Sequence, residues 1–148
     1  PGGPKLDKLA QEGNPFAFHL PEGKVDGYNF SFSGLKTAVL RLVKSFDKNE
    51  MPVKDICASF QETVSTTLLK KLKKALQENN YNQVVIAGGV AANSEIRKKI
   101  FALQDEGYKV FAPPMKYCTD NAAMVASCAY FNTNTFDDVN TEVFSRVK

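Results

Sequence analysis

The chain has little that binds metal or does covalent chemistry. Its one histidine, His19, lies in a loop without a Cys, Asp or Glu at a ligand spacing, so it is assigned no role. Its three cysteines, Cys57, Cys118 and Cys128, are an odd number without metal-ligand spacing. They argue for a reducing compartment, hence a cytoplasmic protein. No hydrophobic run approaches the length of a membrane span, and no signal peptide opens the chain. No nucleophile stands with an oriented base, so no covalent catalyst is assigned. There is no internal repeat and no low-complexity segment. The net charge of +3 is slight; it permits an acidic partner such as nucleic acid without arguing for one. The chain opens Pro1-Gly2-Gly3 without an initiator Met, and the expectation is that it starts partway through a larger protein.

What is present fits one soluble domain with a real core: 148 residues, 43% hydrophobic and 24% charged. The chain is organised around Gln83 to Ile100, QVVIAGGVAANSEIRKKI. Val84-Val85-Ile86 is a short β-branched run and reads as a strand buried on both faces. Ala87-Gly88-Gly89 ends it tightly. Asn93 or Ser94 then caps a helix beginning at Ser94. Strand, glycine turn and helix N-terminus together seat an anion: glycine lets a ligand approach the backbone, and the helix end presents free N–H groups. The same pattern also serves as a plain tight connection that needs glycine for packing.

Around this centre the chain alternates helices and loops. Pro1-Gly2-Gly3-Pro4 reads as a loop leading into a short helix, with Leu6, Leu9 and Ala10 inward and Gly13 past its end. Asp7 lies about one turn in. It is either a solvated acid near the positive helix end or an acceptor for ligand hydroxyls. Asn14 to Gly27 is a surface loop. Tyr28 to Gly34 alternates aromatic and small polar residues, which predicts an extended segment with Phe30 and Phe32 on one face and Ser33 capping a helix over Leu35 to Phe46. Lys36 sits in that helix's first turn, against the dipole: a solvated lysine, or one kept for an anionic ligand.

A long helix is predicted from Val53 to Glu78, its core stripe running Ile56, Phe60, Val64, Leu68, Leu72 and Leu76. Lys70, Lys71, Lys73 and Lys74 fall mostly off that stripe. They form a solvated face, or one that meets a nucleic-acid backbone. Tyr108 to Phe111 reads as a second strand stopped by Pro113-Pro114. Thr119 or Asp120 looks like the cap of a helix of small residues, a composition that allows close approach to another layer. Asn132 to Asn140 reads as a polar loop and Val143 to Val147 as a final short strand.

Four stretches, in this order and at these separations, carry a resemblance: PGGPKLDKLA (Pro1–Ala10), NFSFSGLKT (Asn29–Thr37), VVIAGGVAAN (Val84–Asn93) and YCTDNAAMVA (Tyr117–Ala126). They resemble the C-terminal part of the tRNA N6-adenosine threonylcarbamoyltransferase family, once labelled O-sialoglycoprotein endopeptidase or glycoprotease. The resemblance covers nearly the whole chain. It implies an α/β fold, the second lobe of an actin, Hsp70 and sugar-kinase-like (ribonuclease H-like) architecture with a helical insertion, the first lobe lying outside residues 1–148.

The resemblance also implies a site. Gly3, Asp7 and Asn93 match residues that hold the threonylcarbamoyl-AMP or nucleotide, and Asp120 matches a ligand of one divalent transition metal, iron or zinc. The family's two metal-binding histidines and its phosphate loop belong to the first lobe; His19 matches neither histidine. The implied reaction is transfer of threonylcarbamoyl from its adenylate to N6 of adenosine 37 in tRNAs reading codons that start with A, with the isolated chain inactive. The implied ligand is the adenylate or ATP. The implied partners are tRNA, threonylcarbamoyl-AMP and proteins of a modification complex meeting the first lobe, with no membrane. Two alternatives stay beside it: an ATPase or sugar-kinase-like lobe using the same Gly-Gly turn, and a folded interaction domain. The glycoprotease label finds no HExxH to support it.

Overall fold

The computed structural model describes residues 2–132 and 140. Three helices come first: α1 (Gly2–Ala10), α2 (Ser33–Lys44) and α3 (Val53–Glu78). Strand β1 (Gln83–Val85) follows, then a 3-10 turn over Gly89–Ala92 and helix α4 (Ser94–Phe101). A second 3-10 turn (Ala102–Glu106) leads to β2 (Lys109–Phe111), a third (Met115–Tyr117) to α5 (Ala122–Phe131). The two strands pair in parallel, Val84 opposite Val110. A parallel pair needs a crossover, and α4 supplies it. The result is a small α/β domain. Among the described residues no helix is long and apolar enough to cross a membrane.

Helix α3 spans the residues its periodicity predicts. Its C-terminal half meets α4 and the sheet in one core, where Leu76, Val84, Ile96, Ile100, Leu103 and Val110 are buried together. Its N-terminal half is different. There and just beyond, the most buried side chains include Ser59, Gln61, Ser65 and Thr67. Short polar side chains let α1 and the loop after it lie close, and each finds a partner. Phe18 N donates to Ser59 Oγ at 3.1 Å, and Thr67 Oγ1 donates to the Thr63 carbonyl at 2.7 Å. Gly13 marks the closest approach: a Cβ there would lie 2.1 Å from the Lys54 carbonyl oxygen.

Several local expectations change. Gly2, Gly3 and Pro4 are already helical, so this part of the loop expected over Pro1 to Pro4 is the first turn of α1; Pro1 lies outside the described residues. Ser33 is the first residue of α2 rather than its cap; Phe32 holds the cap position and no side chain caps that helix. The strand expected to be buried on both faces is buried on one. Val84 is covered, whereas Val85 is 73% exposed and Phe111, beside it on β2, is 51% exposed. A continuous apolar run predicts two covered faces, but among the described residues the cover comes from α3, α4 and the Ala102–Glu106 turn, on the Val84–Val110 side. Helix α5 has no buried residue; Val125, Tyr130 and Phe131 are all largely exposed.

The lysine cluster on α3 is internally engaged. Lys70 pairs with Glu22, Lys73 with Glu106 and Lys74 with Glu78, and Lys71 donates to the carbonyls of Val25 and Gly27. These side chains strap the 22–27 loop and the Ala102–Glu106 turn to the helix. The final strand expected over Val143 to Val147 lies outside the described residues, as does the polar loop apart from Asn132 and Asn140.

Candidate functional site

The site is built at the N-terminus of α4. After β1, Gly88 adopts φ +84° and ψ 174°, a conformation essentially confined to glycine. It turns the chain into the Gly89–Ala92 turn, which Ala91 N closes by donating to the Gly88 carbonyl at 3.0 Å. Asn93 then leaves the turn extended and caps α4: its Oδ1 accepts from Ile96 N at 3.0 Å. Of the two caps the sequence allowed, Asn93 is the one used. A Cβ built at Gly89 meets nothing within 4 Å, so the backbone there faces open space.

Asp7 arrives from α1, and it is not a solvated acid at the end of its own helix. Its Oδ1 accepts from Ser94 Oγ at 2.6 Å and from Asn93 Nδ2 at 3.3 Å, and its Oδ2 accepts from Ser94 N at 3.2 Å. The carboxylate thus takes a free N–H of α4 and sits at that helix's positive end, where the dipole stabilises it. Asn93 Nδ2 also donates to Gln61 Oε1 of α3 at 2.8 Å, and Gln11 Nε2 donates to Ser94 Oγ at 3.2 Å. Three helices therefore hold one cluster. Beside it runs a groove of about 540 Å³ between α1, α3 and α4, with Gln11, Gln61, Glu62, Ser94 and Lys98 in its wall.

Next to the cluster, Lys99 of α4 donates to Glu62 Oε1 at 2.6 Å and to Thr66 Oγ1 at 2.7 Å. Burial pushes the Glu62 carboxyl up. The hydrogen bonds from Lys99 and Thr66 and the charges of Lys99 and Lys98 outweigh it, so Glu62 is held below the ordinary value. The pair locks α4 against α3.

The sequence-predicted residues divide into two groups. Asp7 and Asn93 touch. Gly3 lies one helical turn before Asp7, exposed, with open space where a Cβ would stand. Asp120 stands apart, exposed in the segment before α5. It is not the cap expected of it: Asn121 is, its Oδ1 accepting from Met124 N at 3.0 Å. The loop carrying Asp120 is anchored through Cys118, 2% exposed, whose thiol lies against the carbonyls of Pro113 and Pro114. Arg97 of α4 reaches both parts, donating to the Ala91 carbonyl at 3.1 Å and to Cys118 Sγ at 3.8 Å, and it stacks on Phe101. Sequence reasoning missed Ser94 as the partner of Asp7, and it missed Arg97. The only available signal was their place in the first turn of a helix that follows a glycine turn. Among the described residues no group of three His, Cys, Asp or Glu side chains is gathered to hold a metal.

The family described as "TsaD: tRNA N6-adenosine threonylcarbamoyltransferase" has a sequence model that matches residues 1–127. The chain belongs to this family. It is 53% identical over 133 residues to the tRNA N6-adenosine threonylcarbamoyltransferase of Thermosipho africanus, a match covering 88% of this chain and 40% of that protein. It is 51% identical over 156 residues to the protein of that name from Christiangramia forsetii, covering 100% of this chain and 46% of that protein. The chain thus spans less than half the length of the curated relatives it matches. A solved structure, that of T. kodakarensis HypF, superposes with a TM-score of 0.63 at 20% identity, over 86% of this chain and 16% of that one. That likeness concerns fold alone. The resemblance carried by the four sequence stretches is borne out at the level of the family.

Proposed function

We propose that this chain is the second lobe of a two-lobed tRNA-modifying enzyme with the actin-like architecture. The whole protein would transfer threonylcarbamoyl from threonylcarbamoyl-AMP to N6 of adenosine 37. Membership of the family supports the reading, as do two exposed apolar features: Val85 and Phe111 on the open sheet face, and α5 without a buried residue. The observation that carries the site is the meeting of Asp7 and Asn93 beside a glycine turn.

The chemistry expected of this lobe is recognition. A carboxylate oxygen and an amide N–H placed 3.3 Å apart form an acceptor and a donor for one hydroxyl. A ribose hydroxyl entering there donates to Asp7 and accepts from Asn93, replacing the longest bond of the cluster while Ser94 and Gln61 keep both side chains aimed. Open backbone at Gly89 admits the nucleotide, and Gly3 leaves the start of α1 free of a side chain that would obstruct it. Held in this way, the adenylate presents its mixed anhydride to the adenosine amine. The N6–carbonyl bond forms, the carbonyl–phosphate oxygen bond breaks, the amine loses a proton and AMP departs.

Asp120 fits a share in a metal site. Its carboxylate is exposed and makes no hydrogen bond or ion pair among the described residues, so it is free to take one position on iron or zinc. The remaining ligands would come from the other lobe, and the bound metal would supply Lewis-acid stabilisation of charge on the acyl group. The test is to incubate the full-length protein and its partner proteins with labelled threonylcarbamoyl-AMP and a tRNA bearing adenosine 37. Label appearing in that nucleoside, with AMP released in step, is the expected result. Nucleotide turnover that ignores tRNA, with no label transferred, would overturn the reading in favour of an ATPase or kinase-like lobe.

A further inference from the structure

Basic residues face solvent on both α2 and α3, and their states differ. The lysines of α3 are all engaged within the chain. Those of α2 are not: the helix carries Lys36, Arg41 and Lys44 and no acidic residue. All three are exposed, and none makes a hydrogen bond or ion pair among the described residues. At 100° per residue they fall with Thr37 and Leu40 on one face, opposite the stripe of Leu35, Val39 and Leu42 that turns inward.

Ahead of α2, the extended segment holds two aromatic rings side by side. The Phe30 and Phe32 rings lie 6.1 Å apart at 7°, and they are 46% and 37% exposed. Their backbone is pinned. The hydroxyls of Ser31 and Ser33 bond at 3.2 Å, and Gly23 lies so close that a Cβ there would sit 2.0 Å from the Ser31 carbonyl oxygen. Phe32 and Lys36 share the wall of a shallow trough of about 390 Å³ between α2 and α3, floored by Leu35, Val39, Phe60 and Val64. The paired rings meet the trough through Phe32, Lys36 stands at its wall, and Arg41 and Lys44 follow on the outer face of α2.

We propose that this surface takes a single-stranded stretch of tRNA, with bases stacked on Phe30 and Phe32 and phosphates met by Lys36, Arg41 and Lys44. The proposal rests on the tRNA-modifying reading above and gives it a docking site within this chain. Aromatic platforms flanked by cations are how single strands bind without a sequence code. A protein partner fits less well. The core of a protein interface is depleted in lysine, and here Lys36 forms part of the trough's wall.

The test uses the full-length protein and a labelled tRNA anticodon stem-loop, titrated at several salt concentrations. K36Q/R41Q/K44Q should weaken binding by about tenfold or more and flatten the salt slope by about 2. F30L/F32L should weaken it by about tenfold with the slope unchanged. Nucleotide affinity should stay at the wild-type value in both, which also shows that the fold is intact. K70Q/K71Q/K73Q/K74Q should leave the slope alone. Wild-type tRNA affinity and slope in the α2 and phenylalanine variants, alongside a wild-type enzyme that modifies tRNA, overturns the surface and leaves the function standing. Loss of a protein partner with tRNA binding retained also overturns it. A wild-type protein that neither binds nor modifies tRNA removes both readings.

Discussion

Asp7 and Ser94 lie on different helices and are joined twice: Ser94 Oγ donates to Asp7 Oδ1 at 2.6 Å, and Ser94 N to Oδ2 at 3.2 Å. Asp7 thereby caps a helix it does not belong to and fixes α1 against the glycine turn. Asp7→Ala should destabilise the domain by about 1–3 kcal/mol, because it strips the partner from Ser94 N, Ser94 Oγ and one Asn93 proton. Urea unfolding followed by circular dichroism measures this. Ser94→Ala should cost less, since the backbone bond to Oδ2 survives. Equal losses in the two variants would mean the hydroxyl bond carries the whole contact.

Asn93 has both a structural and a proposed ligand role, and one substitution separates them. Asn93→Ser keeps a capping oxygen and should hold stability within about 0.5 kcal/mol of wild type on the cap alone, while adenylate affinity in the full-length protein falls by about 1–3 kcal/mol. Gly89→Val tests the approach from the backbone side. The free domain has room for the new side chain, so it should fold normally and lose nucleotide affinity. Gly88→Val is the contrast: at φ +84° it should cost about 1–3 kcal/mol of stability even without ligand. Calorimetric titration with a non-hydrolysable ATP analogue, beside thermal unfolding, separates the three.

Local signals in the chain were sufficient for some of this and not for the rest. The ends of α3 follow from Pro52 before it and the asparagine pair after it, with Asn80 taking a positive φ of 54°. The Asn93 cap follows from its place before an amphipathic turn. The partners of Lys70 and Lys73 did not follow, because Glu22 and Glu106 are brought to α3 by tertiary packing. Asp7 was legible as a candidate through the family resemblance, yet its engagement with α4 depends on how α1 docks. The strand at Val84 to Ile86 misled for a different reason. A run apolar on both faces predicts cover on both, and among the described residues only the Val84 face is covered.

Glu62 and Lys99 make a pH-dependent contribution. The Glu62 carboxyl is held below its ordinary value of about 4.5 in the folded domain. The unfolded chain therefore takes up the proton first as pH falls. The stabilisation is complete above the ordinary carboxylate value and is lost as pH drops through the lowered folded value. Lys99→Met removes the cation and should narrow this dependence. The stability gap between wild type and variant should be widest at neutral pH and close as pH falls through the lowered folded value. A gap constant across that range would detach the pair from the acid response.

The exposed apolar layer predicts how the isolated domain behaves. Val85, Phe111, Val125, Tyr130 and Phe131 are each more than half exposed. Surfaces of this kind associate when nothing covers them. The 148-residue chain alone should show concentration-dependent self-association in sedimentation velocity, and Val125→Lys should reduce it. In the full-length protein the same substitution should destabilise by about 1–3 kcal/mol if α5 packs between lobes, through an unpaired buried charge. Full-length stability unchanged by Val125→Lys would contradict the proposed covering of α5.

Asp120 and Asn121 are neighbours with separable duties, and the separation tests the metal assignment. Asn121 caps α5 through Met124 N, so Asn121→Ala should cost about 1 kcal/mol of local helix stability. Asp120 makes no such bond, so Asp120→Ala should leave thermal stability within about 0.5 kcal/mol of wild type. Its effect should appear instead in metal content and in transfer to tRNA, with nucleotide affinity little changed, because the Asp7–Asn93 cluster lies on other elements. Asp120→Asn sharpens the result: amide oxygen is a weaker ligand for a transition metal than carboxylate, and with no cap to preserve the two Asp120 variants should fall together. One carboxylate cannot hold such a metal alone, since catalytic sites of this type show about three protein ligands. The isolated chain should therefore bind no stoichiometric iron or zinc, whereas the full-length protein does. Full metal occupancy and full transfer activity in the Asp120→Asn enzyme would show that this carboxylate is not a ligand.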